Sequence, residues 1–337
     1  MTVISIASGT EIPALPKGCS VALGFFDGVH IGHRAILREA TRHARIMDSS
    51  SAVWMISSHG SNKARSPLLT DDKEKLALMG ACGIDFAVLA SFEEIRNLSG
   101  EEFVRCVLAE KLGAAAAVCG FNFRFGKGAA WGMDDLSRLC RAAGITQITV
   151  PAVTYDGESV SSSRIRQLIA EGDMESAAVL LGRPYYFRLP VLCGKMLGRT
   201  LGFPTANQLP PPYLMCPPRG VYATEVELSD NNGEVKYYPG STNIGVCPTV
   251  TDEVLADSGL QNDAVGAANG RRAVAETYIE GFEGDLYGQI IKVSFLRRIR
   301  GEMKFPSVDA LTAQIRRDSE TAREEFMMYK SERSEQT

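Results

Sequence analysis

Histidine is scarce in this 337-residue chain: His30, His33, His43 and His59 are all there is, and all four fall within the first sixty residues. Acid–base chemistry elsewhere in the chain must therefore use another residue type, most simply a carboxylate. The eight cysteines include no C-x-x-C pair, which removes the common zinc and dithiol motifs. Several lie in apolar segments such as "AAAAVCGF", so buried thiols in a reducing compartment are expected. A basic excess is missing too. The formal charge of −4 argues against broad nucleic-acid coating, though it leaves room for a local basic pocket for a phosphorylated small molecule. No apolar run approaches the roughly 18 residues that suggest a membrane span. The opening "MTVISIASGTEIPALPKG" has neither the basic region nor the sustained apolar core of a secretory leader. A cytoplasmic, soluble chain without membrane or nucleic-acid partners is expected, its oligomeric state open.

What is present is ordinary globular composition, 45% apolar and 23% charged, at a length that makes two domains the default. The first half alternates strand candidates ("SVALGFF", "SAVWMIS", "DFAVLAS", "AAAAVCG", "QITVPAV") with helical patterns, the signature of βα units around a parallel sheet. In "SGEEFVRCVLAEKLG", Ser99 and Glu102 form a capping-box pattern ahead of Phe103, Val104, Val107, Leu108 and Leu112. "SSSRIRQLIAEGDMESAAVLLG" reads as two short helices closing this half, and "RPYYF" as a linker. Beyond it, turn-rich segments alternate with short β-branched runs such as "VYATEVEL" and "QIIKVSFLRRI", predicting antiparallel strands in a small barrel. "TDEVLADSGLQNDAVGAANGRR" reads as a long surface loop, "SVDALTAQIRRDSETAREEFMMY" as a final helix with Leu311, Ile315 and Phe326 as its apolar markers, and "KSERSEQT" as a frayed end.

The stretch "GFFDGVHIGH" places His30 and His33 three residues apart where a strand runs into a helix. At that spacing they share one helix face. Metal binding, base catalysis and phosphate handling are the candidate chemistries. Zinc would need further ligands, and neither an H-E-x-x-H pattern nor a cysteine pair supplies them. Gly24, Gly28 and Gly32 let backbone amides approach a ligand, and a helix N-terminus favours an anion. Imidazoles beside such a site can donate to phosphate oxygens as charge builds on them. Phosphate handling is the favoured reading over a histidine that merely caps the turn.

More than a hundred residues later, "VSSSRIRQLI" opens a helix with three hydroxyls and two arginines, a set suited to a polyphosphate. Serine runs also simply cap helices. "GKMLGRTLGFPTAN" is glycine-rich with Lys195 and Arg199, but it is no Walker A loop, since no G-K-[ST] ends it. Thr205 and Asn207 within it offer neutral oxygens of the kind Mg²⁺ accepts, although Gly, Pro and Asn also make plain turns. Taken on its residues alone, Glu276 in "AETYIEGF" reads as a solvated surface glutamate, and "GFNFRFGKG" as an aromatic-rich core turn.

"GFFDGVHIGH", "LLTDDKEKLALMGACGID", "GFNFRFGKG" and "VSSSRIRQLI" together resemble the nucleotidyltransferase half of the bifunctional bacterial riboflavin kinase/FMN adenylyltransferase (FAD synthetase) family. "GKMLGRTLGFPTAN", "RGVYATEVEL", "NIGVCPT", "AETYIEGFEGDLYG" and "FLRRIRGEMKF" resemble its kinase half, in family order. The resemblance implies an α/β fold: a Rossmann-like nucleotidyltransferase domain over 1–184 with a parallel sheet, then a small antiparallel β-barrel kinase domain over 185–330 ending in a helix. It implies riboflavin, FMN and ATP as small-molecule substrates, FMN and FAD as products, and Mg²⁺ with the ATP. Riboflavin is phosphorylated in the second domain, and FMN is adenylylated in the first with loss of pyrophosphate.

By motif match, His30 and His33 would act on the ATP phosphates, with Gly24, Asp27, Gly28 and Gly32 forming the cradle and Ser162, Ser163 and Arg166 the other side of the triphosphate. Asn122 and His59 would face the flavin. In the kinase half, Gly194, Lys195, Gly198 and Arg199 would fold over phosphates, Thr205 and Asn207 would hold the metal, Glu276 would be the base, and Arg300 and Glu302 would shape the flavin side. One departure stands out. The family's Phe-x-Pro-His-Pro pattern reads here Ile56-Ser57-Ser58-His59-Gly60, keeping the histidine but losing the prolines that would fix the loop. A kinase with a weakened adenylyltransferase half is therefore the alternative reading, and a non-enzymatic flavin-nucleotide binder a third. The 251–272 loop is an insertion relative to the family.

Overall fold

Contacts along the chain divide it into two units, Met1–Ser162 and Ser163–Thr337. The structure, a computed structural model, describes residues 1–6, 15–16, 18–57, 66–193, 202–229, 232–247 and 272–335. By packing, residues 163–184 go with the second unit rather than the first, where the sequence division at 184 had them.

The first unit is a six-stranded, all-parallel sheet. Its strands are β1 (Thr2–Ile6), β2 (Cys19–Leu23), β3 (Ser51–Ile56), β4 (Phe86–Ala90), β5 (Ala114–Gly120) and β6 (Thr146–Val150), in the order β1-β4-β3-β2-β5-β6. The five strands expected from the apolar runs are all present. The edge strand β1 is additional: "TVISI" is short, and only pairing with β4 makes it a strand.

Helices α1 (Ile31–Ile46), α2 (Asp72–Ala81), α3 (Phe92–Ile95), α4 (Gly100–Glu102) and α5 (Met133–Ala142) connect these strands. Each sheet face carries its own core, as helices on both sides require. Val21, Leu23 and Trp54 pack with Phe103, Val107 and Leu108 on one side. Ala22, Val53 and Met55 pack with Ile36, Leu37 and Ala40 of α1 on the other. The Ser99–Glu102 capping box forms as its spacing predicts. Past it the helix widens into a π-helix over Phe103–Lys111, with the Leu112 amide reaching Val107. A hairpin not legible as strands, β7 (Thr154–Tyr155) with β8 (Glu158–Ser159), turns on Asp156 and Gly157, both at positive φ.

From β2 the chain proceeds to β3 and β4 on one side, then crosses to β5 and β6 on the other. The reversal lies between β2 and β5, and in open parallel sheets ligands bind beyond the carboxyl ends of the strands at that point. "GFFDGVHIGH" leaves β2 there, and "GFNFRFG" leaves β5.

The second unit opens with α6 (Ser162–Glu171) and α7 (Met174–Leu181), the two short helices expected, the second ending at a left-handed Gly182. Then follow β9 (Tyr185–Pro190), β10 (Thr205–Gln208), β11 (Gly220–Ser229), β12 (Val235–Cys247), β13 (Arg272–Ile279) and β14 (Ile290–Arg300). They form an antiparallel sheet in the order β10-β13-β12-β11-β14-β9. Its two edges meet: Leu192, just past β9, bridges Asn207 of β10, and the Gln208 amide donates to the carbonyls of Leu189 and Ile291. That closes the small barrel the sequence predicts. The "RPYYF" segment is no linker. Tyr185 and Phe187 are buried against Phe295 inside the barrel, and their alternation with Tyr186 and Arg188 is the period of a half-buried strand.

The final helix, α8 (Val308–Glu335), runs on through the segment expected to fray, packing on β11, β12 and β14. Its buried stripe is Asp318, Ala322 and Phe326, and Leu311 and Ile315 are only half-buried. Asp318 takes a two-pronged ion pair from Arg300 at the end of β14, the shorter contact 2.7 Å, plus the Gln314 amide at 2.8 Å. Among the described residues, no helix is long and apolar enough to cross a membrane. Removing one partner of such a pair strands the other. Asp318→Ala should therefore lose about 3–5 kcal/mol in urea unfolding of the second unit, and the Arg300→Met/Asp318→Leu pair should regain most of it. An unchanged midpoint for Asp318→Ala would show that the pair does not anchor α8.

Candidate active sites

The first site is the turn between β2 and α1. Its backbone is forced: Phe26, Gly28 and Val29 all have positive φ (55°, 82° and 40°). For a β-branched valine that geometry stores roughly 1–3 kcal/mol. The surroundings hold it. Asp27, 1% exposed, accepts the Leu69 amide at 2.9 Å and the Thr70 amide at 3.2 Å. The Gly28 amide donates to the Thr70 hydroxyl at 3.0 Å, and the Ser162 hydroxyl donates to the Asp27 carbonyl at 2.9 Å. Two distant stretches thus clamp one loop. Space is tight at Gly32 as well, where a Cβ would sit 3.2 Å from the His30 ring.

His30 is the N-cap of α1, and its Nδ1 accepts the His33 amide at 3.3 Å. An accepting Nδ1 leaves the neutral ring's proton on Nε2, so His30 presents a donor on its far side. The His33 ring stacks on it at 3.6 Å and 19°, with Phe26 edge-on at 5.3 Å. Two imidazolium rings at that spacing repel, so the pair cannot both be charged. The His33 Nδ1 is buried with no hydrogen-bond partner among the described residues. Burial, then His30, then the Lys75 ammonium hold His33 well below its ordinary value of 6.5. His33 is therefore held neutral beside a helix N-terminus, and the two imidazoles there suit phosphate oxygens rather than proton abstraction.

Behind it lies a group that motif reasoning passed over. Lys75, in the first turn of α2, has a fully buried side chain and contacts Asp72 at 3.0 Å. The other Asp72 oxygen accepts the Ser57 hydroxyl at 2.9 Å, and the Lys75 ammonium lies 4.6 Å from the centre of the Phe25 ring. A sequence signal existed in "LLTDDKEK", but as a helix start it reads only as Asp71 capping α2, which it does. Asn122 is exposed just beyond β5. Ser163 and Arg166 follow Ser162 on α6 and belong to the second unit.

The second site is a strip of the barrel surface. Cross-strand register sets Asn207 opposite Glu276, and Glu276 opposite Asn243. The next row on that face is Thr205, Tyr278 and Ser241. Side chains directly opposite lie about 4.5–5.5 Å apart at Cβ, so Thr205, Asn207 and Glu276 share one small patch. Glu276 is exposed, while Thr205, Asn207 and Asn243 are half-buried. Asn243, in "NIGVCPT", was not singled out by sequence; its place beside Glu276 comes only from the pairing of β12 with β13. The opposite face of the same strands is a buried hydroxyl chain, Thr224–Thr242–Thr277, with 2.9 Å links. Arg300 is bound to Asp318, and Glu302 makes an exposed ion pair with Arg219 at 3.7 Å. His59, Gly194, Lys195, Gly198 and Arg199 lie outside the described residues, as does the insertion up to its last residue, Arg272, which begins β13.

Comparison with known proteins follows the same division. A family model for FAD synthetase matches residues 12–164, and one for riboflavin kinase matches residues 181–326. The chain is 33% identical over 320 residues to the bifunctional riboflavin kinase/FMN adenylyltransferase of Escherichia coli, covering 93% of this chain and 95% of that protein. It is 34% identical over 311 residues to the protein of the same name from Bacillus subtilis, covering 90% of each. Among solved structures, one described as a macrolide-efflux protein from Streptococcus pneumoniae superposes with a TM-score of 0.80 at 29% identity, covering 96% of this chain and 99% of that one.

The state of His33 can be tested directly. An unfolded chain takes up a proton at about 6.5 that folded His33 refuses, so the turn's contribution to stability is full above that pH and is lost as pH falls below it. The imidazole resonances of His33 should stay those of the neutral ring when the pH is brought down through 6.5. A midpoint at the ordinary value would contradict the buried, Lys75-flanked placement.

Proposed function

The chain belongs to the bifunctional riboflavin kinase/FMN adenylyltransferase family, enzymes that make FMN and FAD, and we propose that its two reactions run at the two sites described. Adenylylation is assigned to the histidine turn and phosphorylation to the Thr205–Asn207–Glu276 patch. The observation that carries the assignment is the confluence at the sheet's reversal point of a helix N-terminus, two stacked imidazoles and the buried Asp27 clamp.

In adenylyl transfer, an FMN phosphate oxygen attacks the α-phosphorus of ATP, the bond from that phosphorus to the bridging oxygen breaks, and pyrophosphate leaves. The nucleophile is already an anion, so no base is needed. What the reaction needs is alignment and donors that strengthen as charge shifts to the phosphate oxygens. Nε2–H of His30, the ring of His33 and the backbone at the N-terminus of α1 supply them. Ser162 would face the same triphosphate. The roles of Ser163, Arg166, Asn122 and His59 rest on the resemblance alone.

In the kinase reaction, the terminal ribityl hydroxyl attacks the γ-phosphorus of ATP, ADP leaves, and the hydroxyl proton must go to a base. No histidine lies in the second unit, and Glu276 is the carboxylate on the patch. Asn243 and Asn207 flank it in the register, positions from which amide groups can orient its oxygens. A magnesium ion fits this donor set: Thr205 and Asn207 are neutral oxygen donors, and no cluster of three acidic, histidine or cysteine side chains occurs among the described residues. Such a site leaves the ion its waters and the substrate's phosphates. Thr205 and Asn207 would hold it, and when bound it would neutralise charge on the transferred phosphoryl group. Gly194, Lys195, Gly198 and Arg199 would cover those phosphates. Arg300 and Glu302 would bound the flavin side, Arg300 by anchoring α8. Riboflavin, FMN and ATP as substrates, and a cytoplasmic setting, belong to this reading.

Purified protein given riboflavin, ATP and Mg²⁺ should accumulate FAD by way of FMN, resolved by chromatography. FMN alone would favour the kinase-only reading raised by the altered Ser57–Gly60 segment, and neither product would sink both. His33→Ala should abolish FAD formation while leaving riboflavin phosphorylation intact. Glu276→Ala should stop FMN formation yet still convert supplied FMN to FAD. Loss of both products in either variant would rule out separate sites.

A further inference from the structure

Lys75 is an ammonium with no exposed side-chain surface, one turn into the N-terminal end of α2. That is the wrong end of a helix for a cation, because the macrodipole is positive there. Burying the Lys75–Asp72 pair is also a poor way to gain stability, since an apolar pair of similar volume serves as well or better. Its placement is explained instead by what surrounds it. Asp72 fixes the ammonium at 3.0 Å and is itself held by Ser57 at 2.9 Å, at the carboxyl end of β3. The ammonium underlies the ring of Phe25 at 4.6 Å, in the loop that carries the histidines, and its field reaches His33. The same loop is clamped through Asp27 to Leu69 and Thr70, immediately before α2.

On the assignment of adenylyl transfer to the histidine turn, we propose that Lys75 is a positioning residue for that step. It is a fixed cation behind His33 that keeps the site positive while the buried His33 ring stays neutral, and it holds Phe25 over the loop. It does not touch the phosphates; it acts through His33 and Phe25. The charged and titratable groups around His33 are His30 from its own turn and the Lys75–Asp72 pair from α2, with the Asp27 carboxylate committed to the Leu69 and Thr70 amides. Removing the ammonium therefore changes both the field at the phosphates and the protonation of His33.

The test is the isosteric double variant Lys75→Met/Asp72→Asn, which leaves no orphaned charge. In the full-length protein, riboflavin phosphorylation by the second unit reports that the chain is intact. The variant should lose about tenfold or more in kcat for FAD formation, in the range of removing one preorganised electrostatic element, with KM for ATP changed far less. Its pH–rate profile should show its acid limb at a higher pH than wild type, though still below the ordinary histidine value, because burial, the larger cause, stays in place. Lys75→Arg, keeping the charge, should recover part of kcat. Wild-type kcat and pH profile in the double variant would overturn the proposal, as would a loss that Lys75→Arg fails to relieve in an equally folded protein. His33→Ala run in parallel separates the two readings. If it keeps FAD formation, the histidine-turn assignment fails. If it loses FAD formation while the double variant does not, only the role of Lys75 fails.

Discussion

The carboxylate of Asp27, sealed from solvent, accepts the amides of Leu69 and Thr70, and the geometry of the first site depends on it. That anchor helps hold Phe26, Gly28 and Val29 at positive φ, a conformation that neighbouring structure must enforce. With it, the loop leaving β2 is tied to the segment entering α2, while the Ser162 hydroxyl, at the end of the first unit, donates to the Asp27 carbonyl. His30 can then cap α1 with its ring, and the stacked pair meets the helix N-terminus in one tautomeric arrangement. A fixed positive charge enters from behind, through Lys75, while His33 stays neutral. A His33 held this way does not change its protonation across neutral pH, which suits a reaction in which the nucleophile needs no deprotonation.

The second unit solves a different problem with different means. A hydroxyl nucleophile must lose a proton, and the unit has no histidine. Barrel register brings together Glu276, Asn207 and Asn243 from three strands, with Thr205 one step away. The inner face of the same strands is closed by a chain of threonine hydroxyls rather than by apolar side chains alone. Each buried hydroxyl there finds a partner, as a barrel interior requires. Phe295, Tyr185 and Phe187 fill the other end. Arg300 and Asp318 fasten α8 to the end of β14, so a residue assigned by motif to the flavin side also carries structure.

Much of this was legible from the residues. Apolar runs of five to seven residues between helical patterns located β2 through β6, because strands covered on both faces must be continuously apolar. The Ser99–Glu102 spacing located a helix start. The two histidines pointed to phosphate handling, because their spacing, the glycines and the strand-to-helix context all agreed. Family membership followed from motifs in both halves. "RPYYF" misled because a short aromatic run beside proline resembles a connection until its alternate residues are seen to enter a core.

The sequence by itself determined the two-part organisation, the family and the residue types on which each reaction can draw, since these are set by local periodicity and by motifs of fixed spacing. Tertiary structure alone decided what those residues are made to do. Lys75, Asp72 and Ser57 come from a helix and a strand end, and no spacing rule unites them; only the fold buries them behind His33. Asn243 stands beside Glu276 only through antiparallel register, where a shift of one residue would turn it to the other face. A stretch like "GFFDGVHIGH" can announce phosphate chemistry, but whether its histidines carry charge depends on burial and on a cation more than forty residues away in the chain. Those are properties of packing, which sequence proximity does not encode.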